Sequence, residues 1–463
     1  MTRQGRCVLP ADESGRILDR LAGLEQVITP TIVRQVLEET GRINARACKL
    51  TYEVMLWVVL AMGIFTNLPI RQVFKYARRL RTGEATPERS SLCVARQRLG
   101  IEPAMRLFER IVRPLATPRT VGAFWRGLHL FAMDGTVMNL PDTPRNAAYF
   151  GRPSGGDRGE GAFPQLRKVS LVEVGTHVEV AFKVLPYWCG EEKAVPLLLD
   201  HVPPNALVMW DRNFFSYKLW KASISKGIHL LARIQKGPIL APIRILSDGS
   251  YLAKIYPTAY DRQKDRNGIV VRVIKYTLND PQRTGCGEEH TLMTDLLDEA
   301  MYPASEFIPG YHGRWEHELT YDEQKVHQDP PRVSKPAHMR SESPEGVVQE
   351  LYALSLAHFV VRSLMFTAAQ LAEVDVDRLS FTGCYHILRC RLPECDGRTR
   401  VSFAAWCEAL LNELSVEQLP ERRNRINPRV IKRKIAKWPK KRPEHRHPPP
   451  LTKTFTQSVV MLN

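Results

Sequence analysis

Four side chains between residues 311 and 325 have types and spacing that suit chemistry on a phosphate. They are Tyr311, Arg314, Glu318 and Lys325, at intervals of three, four and seven residues. On an α-helix of about 3.6 residues per turn, these intervals return to one face. A carboxylate can hold a divalent cation, whereas Arg and Lys can hold phosphate oxygens. We therefore predict a helix with a ligand-binding face, in place of the apolar stripe of a core-facing helix.

Two further carboxylates follow apolar runs that are typical of β-strands. Asp134 comes directly after residues 128–133, and Asp211 comes directly after residues 206–210. A carboxylate at a strand end is fixed by the sheet and open to a ligand, although many strands end in Asp for turn geometry alone. Together with Glu318, the two aspartates form an all-oxygen set that suits Mg²⁺ or Mn²⁺ and does not suit zinc. Two such ions can activate a water or hydroxyl and stabilise the leaving oxygen of a phosphodiester.

A mixed α/β region has to position these residues. From residue 128 onward, strand-like runs alternate with helical ones, and helical periodicity dominates on both sides. We predict a helical DNA-binding domain over 1–120 and a catalytic domain over 125–335, with a β-rich insertion at about 236–290. We also predict a C-terminal helical region over 345–420, which could supply a dimer contact, and a basic DNA-binding tail over 421–463.

The charge of the chain favours a polyanionic partner. The formal net charge is +17, from 66 Lys and Arg against 49 Asp and Glu, which suits DNA, RNA or an anionic membrane surface. Arginines are dense in the N-terminal helical region, where we predict DNA contacts at Arg96 and Arg98. A solvated basic face there, or a solubilising tail at the C-terminus, is the alternative. The DNA contacts predicted in the tail are Arg429, Lys432, Arg433 and Lys434.

Nothing in the sequence predicts a membrane segment. No apolar leader follows the first residues, and the longest apolar run, 54–65, covers about half of a bilayer span. The nine cysteines contain no CxxC pair, and we interpret them as packing thiols in a reducing compartment. We therefore expect a protein of the bacterial-type cytoplasm, associated with the nucleoid when it is bound to DNA.

One motif pattern resembles a known family. The spacing Tyr-x2-Arg-x3-Glu-x6-Lys is similar to the signature of the "insertion sequence four" family of DDE transposases, and the chain matches it without a mismatch. The blocks Met-Asp134-Gly-Thr and Trp-Asp211-Arg-Asn-Phe resemble the two aspartate motifs of that family. The order Asp, Asp and then Glu after a β-rich insertion also fits.

The resemblance implies a fold and a site. The implied fold is α/β, an RNase H-like mixed-sheet catalytic core with a β-rich insertion, flanked by helical N- and C-terminal regions. The implied ligands of two divalent ions, Mg²⁺ or Mn²⁺, are Asp134, Asp211 and Glu318. The side chains implied to hold the DNA backbone near the scissile phosphate are Tyr311, Arg314 and Lys325.

One feature departs from the family. In that family, an aromatic residue of the insertion can stack on a flipped base when an end is cleaved through a hairpin. Between Lys221 and Arg314 this chain contains no tryptophan. Because any aromatic face can stack on a base, the candidates that remain are Tyr251, Tyr256, Tyr260 and Tyr276.

The predicted function is DNA transposition. The resemblance implies a metal-dependent enzyme, nuclease and strand transferase, that binds terminal inverted repeats as a homodimer and cleaves at the ends of an insertion sequence. The liberated 3′-hydroxyl ends would then join target DNA. The alternatives are an RNase H-like metal-dependent nuclease without strand transfer and a transposase-derived DNA-binding repressor. A cleavage assay separates the repressor from the others, and a joining assay separates the nuclease from the transposase.

Overall fold

The computed structural model describes residues 15–44, 48–78, 85–154, 159–235, 239–283, 286–312, 314, 316–330, 338–395, 400–420, 440–446, 451 and 453–462. The chain divides into two compact units of three segments each. The helical unit comprises Met1–Val121, Gly135–Ala194 and Glu316–Gln418. The sheet unit comprises Gly122–Asp134, Val195–Trp315 and Leu419–Asn463. The four regions predicted from the sequence divide the chain differently, and that division stays a prediction.

The elements are named here in chain order. The α-helices are α1 (Pro30–Glu39), α2 (Tyr52–Ile64), α3 (Ile70–Ala77), α4 (Arg89–Leu99), α5 (Glu102–Ile111), α6 (Pro144–Phe150), α7 (Val195–Leu199), α8 (Tyr217–Ile224), α9 (Ala259–Gln263), α10 (Ala304–His312), α11 (Glu316–Asp322), α12 (Pro344–Leu371), α13 (Phe381–Arg391), α14 (Arg400–Ser415) and α15 (Phe455–Ser458). The strands are β1 (Phe124–Trp125), β2 (Leu128–Asn139), β3 (Gln165–Glu173), β4 (Val178–Pro186), β5 (Ala206–Trp210), β6 (His229–Arg233), β7 (Arg244–Ile245), β8 (Tyr251–Ile255), β9 (Ile269–Leu278), β10 (His290–Thr294) and β11 (Val459–Met461). Short 3-10 helices include Gly15–Gln26 and Glu191–Lys193.

Helix α12 forms the core of the helical unit. Ser343 caps it by accepting a hydrogen bond from the Gly346 amide, and Pro344 occupies its first position. Most of its residues are buried on every side, which is typical of a core helix. Helix α2 packs against it so closely that a Cβ on Gly63 would lie 2.1 Å from the Ala353 carbonyl oxygen. The apolar run at 54–65 therefore forms most of the buried helix α2.

The length of α12 also bears on the membrane. Within the part of the chain that the structure describes, α12 is the one helix long and apolar enough to cross a membrane by length and composition. Inside the protein, 78% of its apolar window is buried. It therefore behaves as the core helix of a folded domain.

A mixed sheet organises the sheet unit. The strand order is β2-β5-β6-β10-β9-β8-β7, with β1 paired to β2 and β11 paired to β9. The pairs β2/β5 and β5/β6 are parallel, and the pairs from β6 to β7 are antiparallel. Every residue of β5 is buried, as expected of a central parallel strand. This mixed sheet with helices confirms the predicted α/β class.

The strands of the predicted insertion belong to this same sheet. Strands β7, β8 and β9 pair in succession, and β9 continues through β10 to β6. The β-rich stretch at about 236–290 therefore extends the sheet and does not form a separate layer. In the helical unit, the second half of β2 is followed in the strand order by β3 and β4, which form an antiparallel hairpin.

Candidate active site

Asp134 and Asp211 occupy matching positions on neighbouring parallel strands of the sheet unit. Met133 of β2 and Trp210 of β5 are partners in the strand register, and the two aspartates follow them directly. Both aspartates are half-buried. Because the two strands are parallel and in register, the two aspartates lie at the same level along them.

The two strands end differently. Strand β5 ends at Trp210, as predicted, but β2 continues past Asp134 to Asn139. The prediction that a strand ends at Asp134 is therefore wrong. The strand continues because its second half, from Gly135, takes β3 as its neighbour in the helical unit.

Arg314 is the cation that binds Asp134. Its Nη1 donates a hydrogen bond to Asp134 Oδ2 at 2.7 Å, and the side chains are only 9% and 18% exposed. Burial lowers the pKa of the Arg314 guanidinium, but Tyr311, Asp134 and Asp211 raise this pKa and outweigh burial. Both aspartates therefore act electrostatically on one guanidinium.

Tyr311 contacts both the backbone of β5 and the Arg314 side chain. Its hydroxyl donates a hydrogen bond to the Trp210 carbonyl oxygen at 3.0 Å, which joins α10 to the residue before Asp211. The Arg314 guanidinium lies over its ring, 5.8 Å from the centroid. Burial raises the pKa of the buried Tyr311 phenol, which keeps the hydroxyl a neutral donor. The structure thus shows Tyr311 as a support of Arg314, whereas its contact with DNA stays a prediction.

The stretch from Tyr311 to Lys325 is not one α-helix. It begins in α10, continues as α11 and ends in a π-helical segment, Glu323–Gln328. Pro309 inside α10 lacks a backbone donor and weakens that helix. The prediction of a single helical face is therefore wrong. Glu318 lies on α11 of the helical unit, where it is exposed.

Lys325 lies in the π-helical segment and contacts β2. Its Nζ donates hydrogen bonds to Thr136 Oγ1 and to the Val137 carbonyl oxygen, each at 3.0 Å. Burial, with a smaller effect from nearby Lys168, lowers the pKa of Lys325. The ammonium group is thus held on the strand that carries Asp134 two residues earlier.

Sequence reasoning missed Glu191 and Arg167, which lie against the residue after Asp134. Arg167 Nη1 donates a hydrogen bond to Glu191 Oε1. A Cβ on Gly135 would lie 2.4 Å from Glu191 Cδ, so the carboxylate rests on the bare Cα of the glycine. The glycine that follows Asp134 was the sequence signal for this close approach.

Gly135→Ala is expected to destabilise the protein by about 1–3 kcal/mol, because the new methyl group displaces the Glu191 carboxylate from Arg167. Denaturant unfolding measures the change. In the double variant with Glu191→Ala, the clash is gone and most of the loss should be recovered. Equal stability of the single and double variants would show that this contact is not the cause.

The basic residues predicted to bind DNA differ in their exposure and in their partners. Arg96 Nη1 donates to Glu350 Oε1 at 3.2 Å and its Nη2 donates to the Gly346 carbonyl oxygen at 2.7 Å. Its side chain is 13% exposed. These contacts fix α4 to the start of α12, and the DNA contact at Arg96 stays a prediction. Arg98, on the same helix, is exposed, and its DNA contact stays a prediction. The tail positions that lie outside the described residues are Arg429, Lys432, Arg433 and Lys434.

The four candidate tyrosines also differ. Tyr276 is buried on β9, which removes its faces from any ligand. Tyr256 donates its hydroxyl to Asp265 at 2.6 Å, and Tyr251 is half-buried. Tyr260, on α9, is 61% exposed. Of the four, Tyr260 offers the most surface for stacking.

The residues at the end of β5 and in β2 fit a hard cation. Asp134 and Asp211 provide oxygen ligands of the kind that Mg²⁺ and Mn²⁺ prefer. A positive charge already lies at this position, because Arg314 Nη1 is 2.7 Å from Asp134 Oδ2. Among the described residues, no group of three or more His, Cys, Asp or Glu is arranged to hold a metal ion. Glu318 as a third ligand stays a prediction.

Comparisons with known proteins identify the family of the chain. The family model "Insertion element 4 transposase N-terminal" matches residues 18–109, and the model "Transposase DDE domain" matches residues 125–360. The chain is 28% identical over 429 residues to transposase InsG for insertion sequence element IS4 of Escherichia coli (strain K12), covering 90% of this chain and 93% of that protein. It is also 28% identical over 198 residues to putative transposase InsZ of the same organism, covering 42% of this chain and 64% of that protein. A solved piggyBac transposase synaptic complex with hairpin DNA has a TM-score of 0.44 and 10% identity, over 86% of this chain and 85% of that one.

The mixed sheet, the paired aspartates and the matched DDE domain define a DNA-processing enzyme with an RNase H-like core. The chain belongs to the insertion element 4 family of DDE transposases. The predicted fold and the predicted resemblance are thereby confirmed. DDE transposase domains generally use divalent metal ions.

Proposed function

We propose that the protein is an active insertion-sequence transposase that binds the terminal inverted repeats of its element, cleaves the DNA at their ends and joins the 3′-hydroxyl ends to target DNA. The observation that carries this proposal is the position of Asp134 and Asp211 on adjacent parallel strands, with Arg314 hydrogen-bonded to Asp134. The full signature with Glu318 and Lys325 supports it.

The side chains would act on one phosphodiester. Asp134, Asp211 and Glu318 would hold two divalent ions, which supply an activated water and stabilise charge on the leaving oxygen. Arg314 would orient a non-bridging phosphate oxygen, since a guanidinium can donate two parallel hydrogen bonds. Lys325 would hold a neighbouring phosphate as a point charge.

Binding and compartment follow from the same proposal. The net charge of +17 gives the chain a long-range attraction to DNA. Because two element ends have to be held together, we propose a homodimer in the DNA complex. The site of action would be the bacterial-type cytoplasm, on the nucleoid.

The test is a cleavage and joining assay on linear DNA that carries both element ends, with Mg²⁺ and with Mn²⁺. We expect nicks or cuts at the ends and insertion of the liberated 3′ ends into a supercoiled target plasmid. Cleavage without insertion would identify a nuclease instead, and end binding without cleavage would identify a repressor. Matched DNA with scrambled ends is the control.

A further inference from the structure

The π-helical segment that contains Lys325 is attached to the helical unit through buried charge. Glu323, its first residue, is 7% exposed. Its Oε2 accepts a hydrogen bond from Arg362 Nε at 3.0 Å and lies 2.8 Å from His358 Nε2. Its Oε1 accepts from Arg362 Nη2 and lies 3.3 Å from His177 Nδ1. One carboxylate thus joins the segment to α12 and to the turn between β3 and β4.

The other inward side chains of the segment are polar as well. Gln324 accepts a hydrogen bond from Lys168 Nζ at 2.8 Å and donates to Glu179 Oε2 at 3.1 Å. Gln328 donates to the carbonyl oxygens of Gly63 and Leu354, at 3.0 and 2.9 Å. Both glutamines are buried. Directional hydrogen bonds therefore fix the rotation of the π-helical segment about its own axis. Apolar contacts, which adjust more easily, do not.

Such an attachment is an unusual way to gain stability. Burying a charge is costly, and an apolar replacement of a buried ion pair is often as stable as the pair. Burial raises the pKa of Glu323, but Arg362, His177 and His358 outweigh this effect and hold the pKa well below its ordinary value. The carboxylate is therefore ionised and bonded in one geometry. Directional bonds of this kind specify a single arrangement of the chain.

The geometry of the π-helical segment determines the direction of the Lys325 side chain. An α-helix turns by about 100° per residue, so Lys325 would lie almost on the same face as Glu318, seven residues earlier. A π-helix closes its hydrogen bonds one residue later, so each of its residues turns the chain less. The π-helical turn directs Lys325 Nζ to Thr136 and Val137 of β2. π-helical turns are rare and often occur at functional sites.

We propose that Glu323 is a positioning residue for the reaction, which holds the π-helical segment through Arg362, His358 and His177 and thereby aims Lys325 at the strand that carries Asp134. The inference rests on the proposed function. It assigns Glu323 no contact with DNA or with a metal ion. Its effect on cleavage would pass through Lys325.

The chain offers a matched control for a purely structural role. Glu350, on α12, is 4% exposed and bound by two arginines. It accepts hydrogen bonds from the Arg340 amide at 2.8 Å and from Ser341 Oγ at 2.9 Å. Glu350 is therefore a buried carboxylate that, like Glu323, is bound by arginine in the helical unit. Its partners Arg96, Arg340 and Ser341 lie outside the π-helical segment. Glu323→Gln and Glu350→Gln make the same chemical change in similar surroundings.

The experiment measures single-turnover cleavage of end-bearing DNA with Mg²⁺. Thermal melting first establishes a temperature at which every variant is folded, and all rates are measured there. Glu323→Gln is expected to slow cleavage by on the order of 100-fold, the effect of a misplacement of about 1 Å. Binding of element ends in Ca²⁺ should stay within about threefold of the parent, since most phosphate contacts remain. Glu350→Gln should slow cleavage by less than about threefold, because its bonds to Arg96, Arg340 and Ser341 do not hold the segment.

A double-mutant cycle with Lys325→Ala separates positioning from general damage. If Glu323 acts through Lys325, Glu323→Gln should slow the Lys325→Ala variant by less than about threefold further. A full 100-fold penalty on that background would overturn the proposal, as would parent-like cleavage by Glu323→Gln or an equal loss in Glu350→Gln.

One variant protects the test against misfolding. Glu323→Gln leaves Arg362 buried without its carboxylate, so Glu323→Gln/Arg362→Met removes both charges and should fold. This double variant is also expected to cleave on the order of 100-fold more slowly, because the directional bonds are lost. Parent-like cleavage by this folded variant would overturn the proposal. Absence of cleavage by the parent protein itself would instead overturn the proposed function.

Discussion

Asp134→Asn is expected to slow metal-dependent cleavage of element ends by at least about 1,000-fold, which corresponds to about 4 kcal/mol of lost transition-state stabilisation. Asparagine keeps the shape of the side chain and one oxygen that can accept the bond from Arg314 Nη1. It removes the negative charge that a divalent cation requires from its ligand. Asp134→Asn should therefore lower the rate of cleavage strongly and the stability of the fold only slightly.

The measurement combines single-turnover cleavage, Mn²⁺ binding by calorimetry and thermal melting. Asp211→Asn is expected to behave in the same way, and the double variant should lose little more than either single one, because groups that act as a unit are not additive. Asp142→Asn is a suitable control. Asp142 also pairs with an arginine, Arg152, but its side chain is 53% exposed, so cleavage should stay within about twofold of the parent. Cleavage by Asp134→Asn within tenfold of the parent would rule out its assignment as a metal ligand.

Lys168→Met is expected to destabilise the protein by about 3–5 kcal/mol, the usual cost of leaving one buried charge without its partner. Lys168 and Glu179 are each 1% exposed, with Nζ and Oε1 separated by 2.7 Å. The ammonium group also donates to Gln324 Oε1 at 2.8 Å and to Ser355 Oγ at 3.1 Å. Its loss leaves the Glu179 carboxylate buried and incompletely compensated.

Denaturant unfolding gives the free energy of unfolding for the parent and the variants. Lys168→Met/Glu179→Gln, which removes both charges, should recover a large part of the loss. The exposed pair of Lys226 and Asp200, also 2.7 Å apart, provides the control, and Lys226→Met should change stability by less than about 1 kcal/mol. A similar small effect of Lys168→Met would show that water reaches the buried pair.

The same pair gives the protein a defined response to acid. Burial raises the pKa of Glu179, but its ion pair with Lys168 and the hydrogen bonds from Ser170 and Ser355 outweigh burial, so the pKa lies below its ordinary value. The stabilising contribution of a carboxylate with a lowered pKa is complete above the unfolded pKa of about 4.3 and is lost as pH falls through the folded pKa. We expect the parent to lose stability below about pH 4 more steeply than Lys168→Met/Glu179→Gln.

Much of the fold and of the chemistry could be predicted from local sequence patterns. The all-apolar run before Asp211 is what a central parallel strand requires, and β5 is that strand. The spacing of Tyr311, Arg314, Glu318 and Lys325 pointed to the family to which the chain belongs. Such signals are local, because strand burial and helical spacing depend on neighbours a few residues away.

Other features depend on partners far away in the sequence. Arg96 is a residue type that often contacts DNA. Its guanidinium instead donates hydrogen bonds to Gly346 and Glu350, which lie 250 or more residues later in the sequence. The predicted β-rich insertion at about 236–290 gave no sign of its sheet neighbours, which the pairing of β10 with β6 determines. Neither partner can be identified from one sequence, because charge and β-propensity do not specify which distant group they meet.

The sequence by itself therefore determined the chemical groups of this protein: two aspartates after apolar runs, and the Tyr, Arg, Glu and Lys signature with its family. Only the tertiary structure decided how these groups are held. It bound Arg314 to Asp134, placed the Arg314 guanidinium over the Tyr311 ring, and divided the one predicted helix into α10, α11 and a π-helical segment. The physical reason is that the direction of a side chain depends on the buried bonds of its segment, here those of Glu323 with Arg362 and His358, and these bonds join residues that no local pattern connects.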